Sequence, residues 1–367
     1  MNENRAEIQK YLDEINDYLE TVYALHALAL SAAWDEKARV VRATSKWSVP
    51  RRMHTSAPVK VVTPDAVVQV GDAYGLVAEA KHNFASKNSG TLAVQLETYD
   101  RNLTGWWTAD ETIARYDLVL LVHLFTSVAA VETFKQWQAD GKPFSNRLSI
   151  IEFGNTSTGQ TWFLLRRVAG QLSDRVHDEH LRLGKKLGGP VLGRIISKFK
   201  FTEQKPPLIH KLHLIHDYIL PLYPRDEAFE AATGKKALSI RVTITDLRKR
   251  LKNQFCQEPT DARCFQLPKR AWVVEAMETF VRIGVAKREA GRMAAYRVAL
   301  RKPRGKDTIV YLAERLIRAR EAAKPNADPA QRQLFPPSEP GSPLEEHTSS
   351  VSDAVDSTRS EADQDAI

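Results

Sequence analysis

Hydrophobic residues recur at two different spacings along the chain, and the change in spacing outlines two folded regions. Residues 4–45 carry apolar side chains at helical spacing, such as Ile8, Leu12 and Ile15, which predicts a helix that is broken once. From about residue 61 to residue 166 the pattern predicts the order strand, strand, helix, strand, helix, strand, strand. Together with the first helix, this order predicts an α/β domain in which helices cover a mixed sheet.

A second region, residues 207–325, is predicted to contain a helix, a short strand, two helices, a hairpin over residues 284–301 and a final helix. The second helix of the pair begins near Pro268, a residue favoured at helix starts. This order is that of a winged helix-turn-helix domain, which usually binds DNA. Residues 167–206 indicate a basic helical connector. Residues 326–367 are rich in Pro, Ser and acidic residues, so we expect a disordered acidic tail.

The net charge changes sharply between these segments. Residues 1–165 carry −3, residues 166–325 carry +18 and residues 326–367 carry −7. A strongly basic region is typical of proteins that bind a polyanion, but a solvated cationic surface or a winged helix that contacts protein would have the same composition. The cations predicted to contact DNA are Arg248, Lys249, Arg250, Lys252, Lys269, Arg270, Lys287, Arg288, Arg292 and Arg297.

The composition argues against several other classes of protein. No apolar run reaches the ~18 residues of a transmembrane helix, so we expect no membrane contact. Residues 1–5 lack the apolar segment of a signal peptide, which favours a cytoplasmic protein. The two cysteines, Cys256 and Cys264, are too few for a disulfide framework or a four-thiolate zinc site. The chain has no phosphate-binding G-x-x-x-x-G-K-[ST] sequence, so a separate ATPase or helicase would have to drive movement along DNA.

Three charged residues of the first predicted hairpin, Asp65, Glu79 and Lys81, carry the candidate chemistry. The hairpin places Asp65 opposite the region of Glu79, and Glu79 and Lys81 share a face because strand side chains alternate. Two carboxylates and the Ala80 carbonyl form an oxygen site suited to Mg²⁺ or Mn²⁺. Such an ion polarises a phosphoryl oxygen and lowers the pKa of bound water, while the lysine serves the attacking water. The residues predict phosphodiester hydrolysis; the alternative is a hairpin whose charges only face water.

The spacing of these residues resembles a known nuclease motif. Pro64-Asp65 followed by Glu79-Ala80-Lys81 resembles the PD-(D/E)XK motif of the restriction-endonuclease-like nucleases. The next predicted helix carries Gln95 and Tyr99, a Q-x-x-x-Y pattern that resembles the RecB-like branch of this superfamily. The resemblance covers residues 1–166 and implies a restriction-endonuclease-like fold. It also implies that the Gln–Tyr pair binds DNA near the scissile phosphate and that cleavage leaves 5′-phosphate and 3′-hydroxyl ends.

Other potential metal ligands are weaker candidates. The resemblance implies that a residue of the preceding helix could complete the metal site, and Glu20 and His26 are the candidates, although the apolar neighbours of His26 favour a core position. Some RecB-like enzymes hold an iron–sulphur cluster through four cysteines, which this composition excludes. The predicted helix near residue 210 carries His210, His213 and His216, but a spacing of three drifts around a helix, so ordinary packing is favoured over a zinc site.

Together these features predict a Mg²⁺- or Mn²⁺-dependent deoxyribonuclease in which a PD-(D/E)XK domain is joined to a basic winged-helix domain that binds DNA. Such enzymes act in anti-phage defence and DNA repair. The alternative is a non-catalytic DNA-binding regulator whose first domain is a scaffold. In the acidic tail, Gln331, Leu334 and Phe335 form a Q-x-x-L-F string that resembles the peptide by which bacterial DNA enzymes bind the sliding clamp, and a chance match is the alternative.

Overall fold

The computed structural model describes most of the two predicted regions. The described residues are 3–33, 41–45, 53–55, 60–70, 73–106, 112–141, 144–158, 160–188, 206–222, 238–255, 270–290, 295–300 and 307–323. The predicted acidic tail, with Gln331, Leu334 and Phe335, lies outside them.

A mixed sheet forms the centre of the first region. The described strands of this region are β1 (Val41–Ser45), β2 (Met53–Thr55), β3 (Val61–Val62), β4 (Ala66–Val70), β5 (Tyr74–Lys81), β6 (Leu103–Thr104), β7 (Arg115–His123), β8 (Leu148–Thr158), β9 (Gln160–Ala169) and β10 (Lys185–Gly188). Seven of them form one sheet in the order β1-β4-β5-β7-β8-β9-β10, and the others form a small sheet in the order β3-β2-β6. In the large sheet β5, β7 and β8 are parallel, and the remaining neighbours are antiparallel.

Helices cover both faces of the large sheet. The helices of the first region are α1 (Glu3–Ala33), α2 (Ser89–Tyr99), α3 (Ser127–Ala139) and α4 (Arg175–Leu183). Leu25 of α1 is buried against the face that carries Ala78, whereas Leu96 of α2 and Phe134 of α3 are buried with Val77 on the other face. Alternation along β5 thus sends odd-numbered side chains towards α2 and even-numbered ones towards α1. The mixed α/β class expected from the sequence is confirmed.

The prediction of a helix over residues 4–45 is wrong for its last residues. α1 ends at Ala33, and Val41–Ser45 form the edge strand β1. This segment pairs antiparallel with β4, Val41 opposite Val70. β-Branched residues such as Val41 and Thr44 suit a strand, and the pairing satisfies backbone groups that β4 would otherwise expose. A long-range partner therefore decides the conformation of this segment.

The large sheet also extends beyond residue 166, into the predicted basic connector. Asp174 caps α4 by accepting hydrogen bonds from the backbone N–H groups of Val176 and His177. β10 then returns to pair antiparallel with β9, and Leu187 lies opposite Phe163. The connector therefore contributes a helix and an edge strand to the first region.

The second region has its own hydrophobic core. Its described α-helices and strands are α5 (Leu208–Leu214), β11 (Leu238–Thr243), α6 (Ile244–Phe255), α7 (Arg270–Arg282), β12 (Ala286–Arg288), β13 (Ala295–Leu300) and α8 (Thr308–Ala322). β13 lies between β11 and β12 in a three-stranded antiparallel sheet. Leu247, Phe280 and Leu312 are buried in this core, and Ile15 from the first half of α1 joins them. Among the described helices, none has both the length and the apolar character that a membrane crossing requires.

Candidate functional site

The β4–β5 hairpin brings two buried carboxylates to the same edge of the large sheet. The antiparallel register pairs Ala66 with Ala78, so Asp65, directly before β4, lies opposite Glu79. Asp65 Oδ2 accepts a hydrogen bond from the backbone N–H of Ala80 at 2.8 Å. Asp65 and Glu79 are each only 1% exposed. Burying a carboxylate so deeply is costly unless other groups compensate its charge, so the partners of Glu79 define the site.

Both carboxylate oxygens of Glu79 accept hydrogen bonds. Oε1 accepts one from Lys81 Nζ at 2.7 Å, and Oε2 accepts one from the Tyr99 hydroxyl at 3.1 Å. Lys81 is two residues further along β5 and therefore on the same face. Its side chain is 36% exposed, so its ammonium group links solvent to the buried carboxylate.

The α2 helix supplies the second of these donors. Gln95 and Tyr99 lie one helical turn apart on a shared face, and Gln95 Nε2 donates to the Tyr99 hydroxyl at 2.7 Å. Burial, and then the nearby charge of Glu79, raises the pKa of Tyr99 well above its usual range, so the hydroxyl keeps its proton and stays a donor. Because Tyr99 is only 3% exposed, it positions Glu79, and Gln95 is the member of the pair that lines the adjoining cavity.

A cavity of about 320 Å³ opens beside this chain of hydrogen bonds. Its lining comes from the end of β5, the following loop and α2: Lys81, Asn83, Phe84, Ala85, Asn88, Thr91, Leu92 and Gln95. A ligand in this cavity would contact Lys81 and Gln95, the two residues that also belong to the site. A larger cavity of about 530 Å³, lined by Phe134, Arg147 and others, contains none of the predicted site residues.

The oxygen atoms that the site offers as ligands suit a hard divalent cation. Asp65 and Glu79 offer carboxylate oxygens and Ala80 a backbone carbonyl, which are the ligand types that Mg²⁺ and Mn²⁺ prefer. Asp65 and Glu79 lie opposite each other in the hairpin register, and a divalent cation would compensate the charge of these buried carboxylates. The structure thus brings together the residues predicted from the sequence: Asp65, Glu79, Ala80, Lys81, Gln95 and Tyr99.

A second polar cluster lies at the same edge of the sheet, on the face that α1 covers. Because β5 and β7 are parallel with Lys81 opposite Val122, His82 and His123 are neighbours at the ends of these strands. Their rings stack with centroids 4.2 Å apart and an interplanar angle of 22°. The two Nε2 atoms lie 3.0 Å (His82) and 3.1 Å (His123) from Oε2 of Glu20 on α1.

Neighbouring groups hold this cluster in place. Asn155 Nδ2 donates to Glu20 Oε1, and His82 Nδ1 lies 3.4 Å from Asp17 Oδ1. Burial acts to raise the pKa of Glu20, but hydrogen bonds from His123 and His82 outweigh it and lower that pKa to about 2. Burial acts to lower the pKa of His82, but its contacts with Glu20 and Asp17 raise it overall. Glu20 is therefore ionised at neutral pH.

The sequence analysis identified Glu20 but missed both histidines. Glu20 was a candidate for completing the site at Asp65 and Glu79, whereas its hydrogen bonds go to His82 and His123 on the other face. His26 is half-buried on α1 and lies outside this cluster. The sequence does show a histidine at the end of each of two apolar strands. This pattern predicts a cluster only when the two strands are known to be parallel neighbours.

His210 and His213 of α5, and His216 in the π-helical turn Ile215–Ile219 that follows, do not form a comparable cluster within the described residues. His213 and His216 both approach Asp217, at 3.4 Å and 2.6 Å. His210 packs against Tyr18 with ring centroids 5.2 Å apart, and burial lowers the pKa of His210 to about 4. These contacts are those of residues in a packed helix.

The predicted DNA-binding cations of the second region differ in their surroundings. Arg288 lies 2.5 Å from Glu278 and Arg297 lies 3.1 Å from Glu289, so acidic partners offset part of their charge. Three others are exposed and form no ion pair with another described residue: Lys249, Arg270 and Lys287. The remaining positions are Arg248, Arg250 and Lys252 on α6, and Lys269 and Arg292 outside the described residues.

In comparisons with known proteins, no protein-family model matched the chain, and no curated protein or solved structure matched it significantly.

Proposed function

We propose that the chain is a metal-dependent DNA nuclease whose active site is formed by Asp65, Glu79 and Lys81. The observation that carries the proposal is the surroundings of Glu79, a buried carboxylate beside a second one, bonded to a lysine and to the Gln95–Tyr99 pair. A scaffold gains no stability from placing two carboxylates side by side in its interior. The sheet order and the parallel β5–β7 pair support a restriction-endonuclease-like fold.

Each residue of the site has a distinct role in this proposal. Asp65, Glu79 and the Ala80 carbonyl hold Mg²⁺ or Mn²⁺, which when bound polarises the scissile phosphate and lowers the pKa of the attacking water. Lys81 orients that water and offsets charge on the phosphate. Tyr99 keeps Glu79 in position, and Gln95 contacts the strand in the cavity. The resemblance implies products with 5′-phosphate and 3′-hydroxyl ends.

In this proposal the second region binds DNA as a winged-helix domain. β11 precedes α6 and α7, the β12–β13 hairpin follows them, and residues 166–325 carry a net charge of +18. Domains of this kind place the second helix in the major groove and the hairpin on the adjacent backbone. Arg270 opens α7 and Lys287 lies on the hairpin strand β12, which suits these two contacts. The proposed roles are anti-phage defence or DNA repair, with a separate ATPase or helicase supplying movement.

An exposed aromatic residue at the end of β7, beside His123, favours substrates with a single-stranded part. Phe125 follows β7 and is 86% exposed, with its ring centroid 4.9 Å from that of His123. Val128, on the first turn of α3, is 73% exposed. Exposed aromatic rings beside a nucleic-acid site stack on unpaired bases, which they reach only in single strands or at frayed ends.

The competing proposal is a non-catalytic DNA-binding regulator, and cleavage assays separate the two. Linear, circular, duplex and single-stranded DNA, and RNA, are incubated with Mg²⁺ and the wild type, Glu79→Gln or the control Glu97→Gln, an exposed residue of α2. We expect Mg²⁺-dependent cleavage of DNA by the wild type and the control, reduced by about 100-fold or more in Glu79→Gln. DNA binding without cleavage by the wild type would favour the regulator.

A further inference from the structure

We propose that Glu20, His82 and His123 form a second metal site, which binds Zn²⁺ or a similar divalent transition-metal ion. The side chains come from α1 and from the ends of β5 and β7, and their ligand atoms all lie within 4.8 Å of one another. This cluster lies on the α1 face of the sheet, whereas Glu79 and Lys81 face α2. The proposal therefore does not depend on the proposed nuclease activity.

The two distances from Glu20 to the histidines are close to those of a tetrahedral site. Ligand atoms that lie 2.0–2.1 Å from a tetrahedral zinc ion are separated from one another by about 3.3 Å. Glu20 Oε2 lies 3.0 Å from His82 Nε2 and 3.1 Å from His123 Nε2. A shift of a few tenths of an ångström would bring each of these two pairs to the separation found around zinc, and the ligand atoms of the two histidines lie within 4.8 Å of each other. Two imidazole nitrogens and one carboxylate oxygen suit Zn²⁺ better than Mg²⁺, which prefers oxygen ligands throughout.

The neighbouring residues prepare Glu20 and His82 as ligands. Asn155 bonds to Glu20 Oε1, which leaves Oε2 directed at the histidines. Asp17 lies 3.4 Å from His82 Nδ1, where carboxylates commonly orient a metal-bound histidine through its second nitrogen. The side chains of His82 and Glu20 are 14% and 15% exposed. An ion can therefore enter from solvent, and a water molecule can supply the fourth ligand.

His123 must change its protonation pattern on binding. Its Nδ1 accepts a long hydrogen bond of 3.4 Å from the backbone N–H of Phe125, so in the neutral ring Nε2 carries the proton and donates it to Glu20. A metal at Nε2 requires the proton on Nδ1, and the contact with Phe125 then opens. The competing interpretation is that the cluster only ties α1 to the sheet through hydrogen bonds, in which case no metal displaces them.

Zinc binding to the full-length Glu79→Gln protein tests the proposal, since this variant disables the other candidate site. Zn²⁺ is titrated in competition with a chromophoric chelator, and the melting temperature is followed with and without Zn²⁺. We expect about one tightly bound Zn²⁺ per chain and a raised melting temperature. Adding His82→Gln should weaken binding by at least about 100-fold, more than the loss typical of outer-shell substitutions. Adding the control His54→Gln, on β2, should leave binding unchanged.

The outcomes distinguish this proposal from the nuclease proposal. No zinc binding by the folded Glu79→Gln protein, or equal affinity in the His82→Gln and His54→Gln versions, would overturn the metal site. His123→Gln gives a second test should His82→Gln unfold, and circular dichroism reports the fold of each variant. Zinc bound at this cluster, together with a wild-type protein that cleaves no DNA in the presence of Mg²⁺, would support the second site and count against the nuclease.

Discussion

At the scale of single residues, Glu79 shows how the same contacts serve stability and chemistry. Lys81 and Tyr99 each donate to one of its oxygens and replace the water that the carboxylate loses on burial. They also fix the two oxygens that are proposed to hold the cation. Substitutions around Glu79 should therefore change both the free energy of unfolding and the rate of cleavage.

The substitution Tyr99→Phe tests the effects on stability and on cleavage without removing the packing of the ring. The substitution keeps the ring but leaves Glu79 Oε2 and Gln95 Nε2 without the hydroxyl that they share. We expect the free energy of unfolding to fall by about 1–3 kcal/mol in urea titrations. We also expect kcat to fall about tenfold with little change in KM, because Glu79 loses its position. Thr98→Ala, on the same helix, is the control; an equal loss there would contradict this role for Tyr99.

His210 is expected to make stability sensitive to mild acid. Its pKa is lowered from the ordinary 6.5 to about 4, so between these values the unfolded chain binds a proton that the folded chain does not. Stability should thus fall as the pH drops from 6.5 towards 4, by at most about 1.4 kcal/mol per pH unit for this one group. Urea unfolding at pH 7.5 and pH 5 measures the effect. His210→Gln should flatten the dependence, and His54→Gln should retain it.

At the scale of elements, α1 belongs to both regions. Ile15 is buried in the core of the second region, whereas Leu25 and Leu28 are buried against the large sheet. A helix shared between two cores couples their stabilities, and a fragment cut near residue 166 would take α1 away from the second region. Division of the chain into separately folding fragments is therefore a poor way to assign functions to the two regions.

Ile15→Ala tests this coupling in the intact chain. The substitution leaves a cavity in the core of the second region, so we expect a loss of about 2–4 kcal/mol in the free energy of unfolding. DNA binding should be lost at a lower temperature than in the wild type. Leu30→Ala, on the same helix but 37% exposed, should cost much less. Equal effects of the two substitutions would mean that Ile15 is not a core residue of the second region.

At the scale of the whole molecule, the separation of charge sets the expected response to salt. The segment from residue 166 to residue 325 carries +18, and the segments before and after it are acidic. Ion pairs with Glu278 and Glu289 reduce the contribution of Arg288 and Arg297. Lys249, Arg270 and Lys287, which are exposed and form no ion pair with another described residue, are therefore the better candidates for contacts with phosphate.

Combined substitution of Lys249, Arg270 and Lys287 by Gln should weaken DNA binding and its dependence on salt. Each phosphate contact contributes about 0.9 to the slope of log K against log salt, so the slope should become shallower by up to about 3. Fluorescence anisotropy with labelled duplex DNA at several salt concentrations measures this slope. A matched variant with Arg101, Arg115 and Lys135 changed to Gln removes the same charge from exposed positions of the first region. Equal slopes in the two variants would contradict binding by the second region.

Much of the first region could be predicted from its sequence because the relevant signals are local. The segment that carries Val67 and the segment that carries Glu79 and Lys81 flank a short turn, and this pattern predicts a hairpin. A hairpin brings residues of its two strands together. Gln95 and Tyr99 share a face by helical geometry alone. The residues of the candidate site, and the side chains that share a face, could therefore be predicted from patterns within short segments of the sequence.

The remaining features depended on contacts between distant segments. Val41–Ser45 became a strand because β4 offers an unpaired edge, and His82 met His123 because β5 and β7 are parallel neighbours. The division of α1 between two cores likewise depends on where the second region packs. The local sequence determined the periodicity of each element, whereas the tertiary structure decided which elements are neighbours, since burial and strand pairing are gained only between segments that meet after folding.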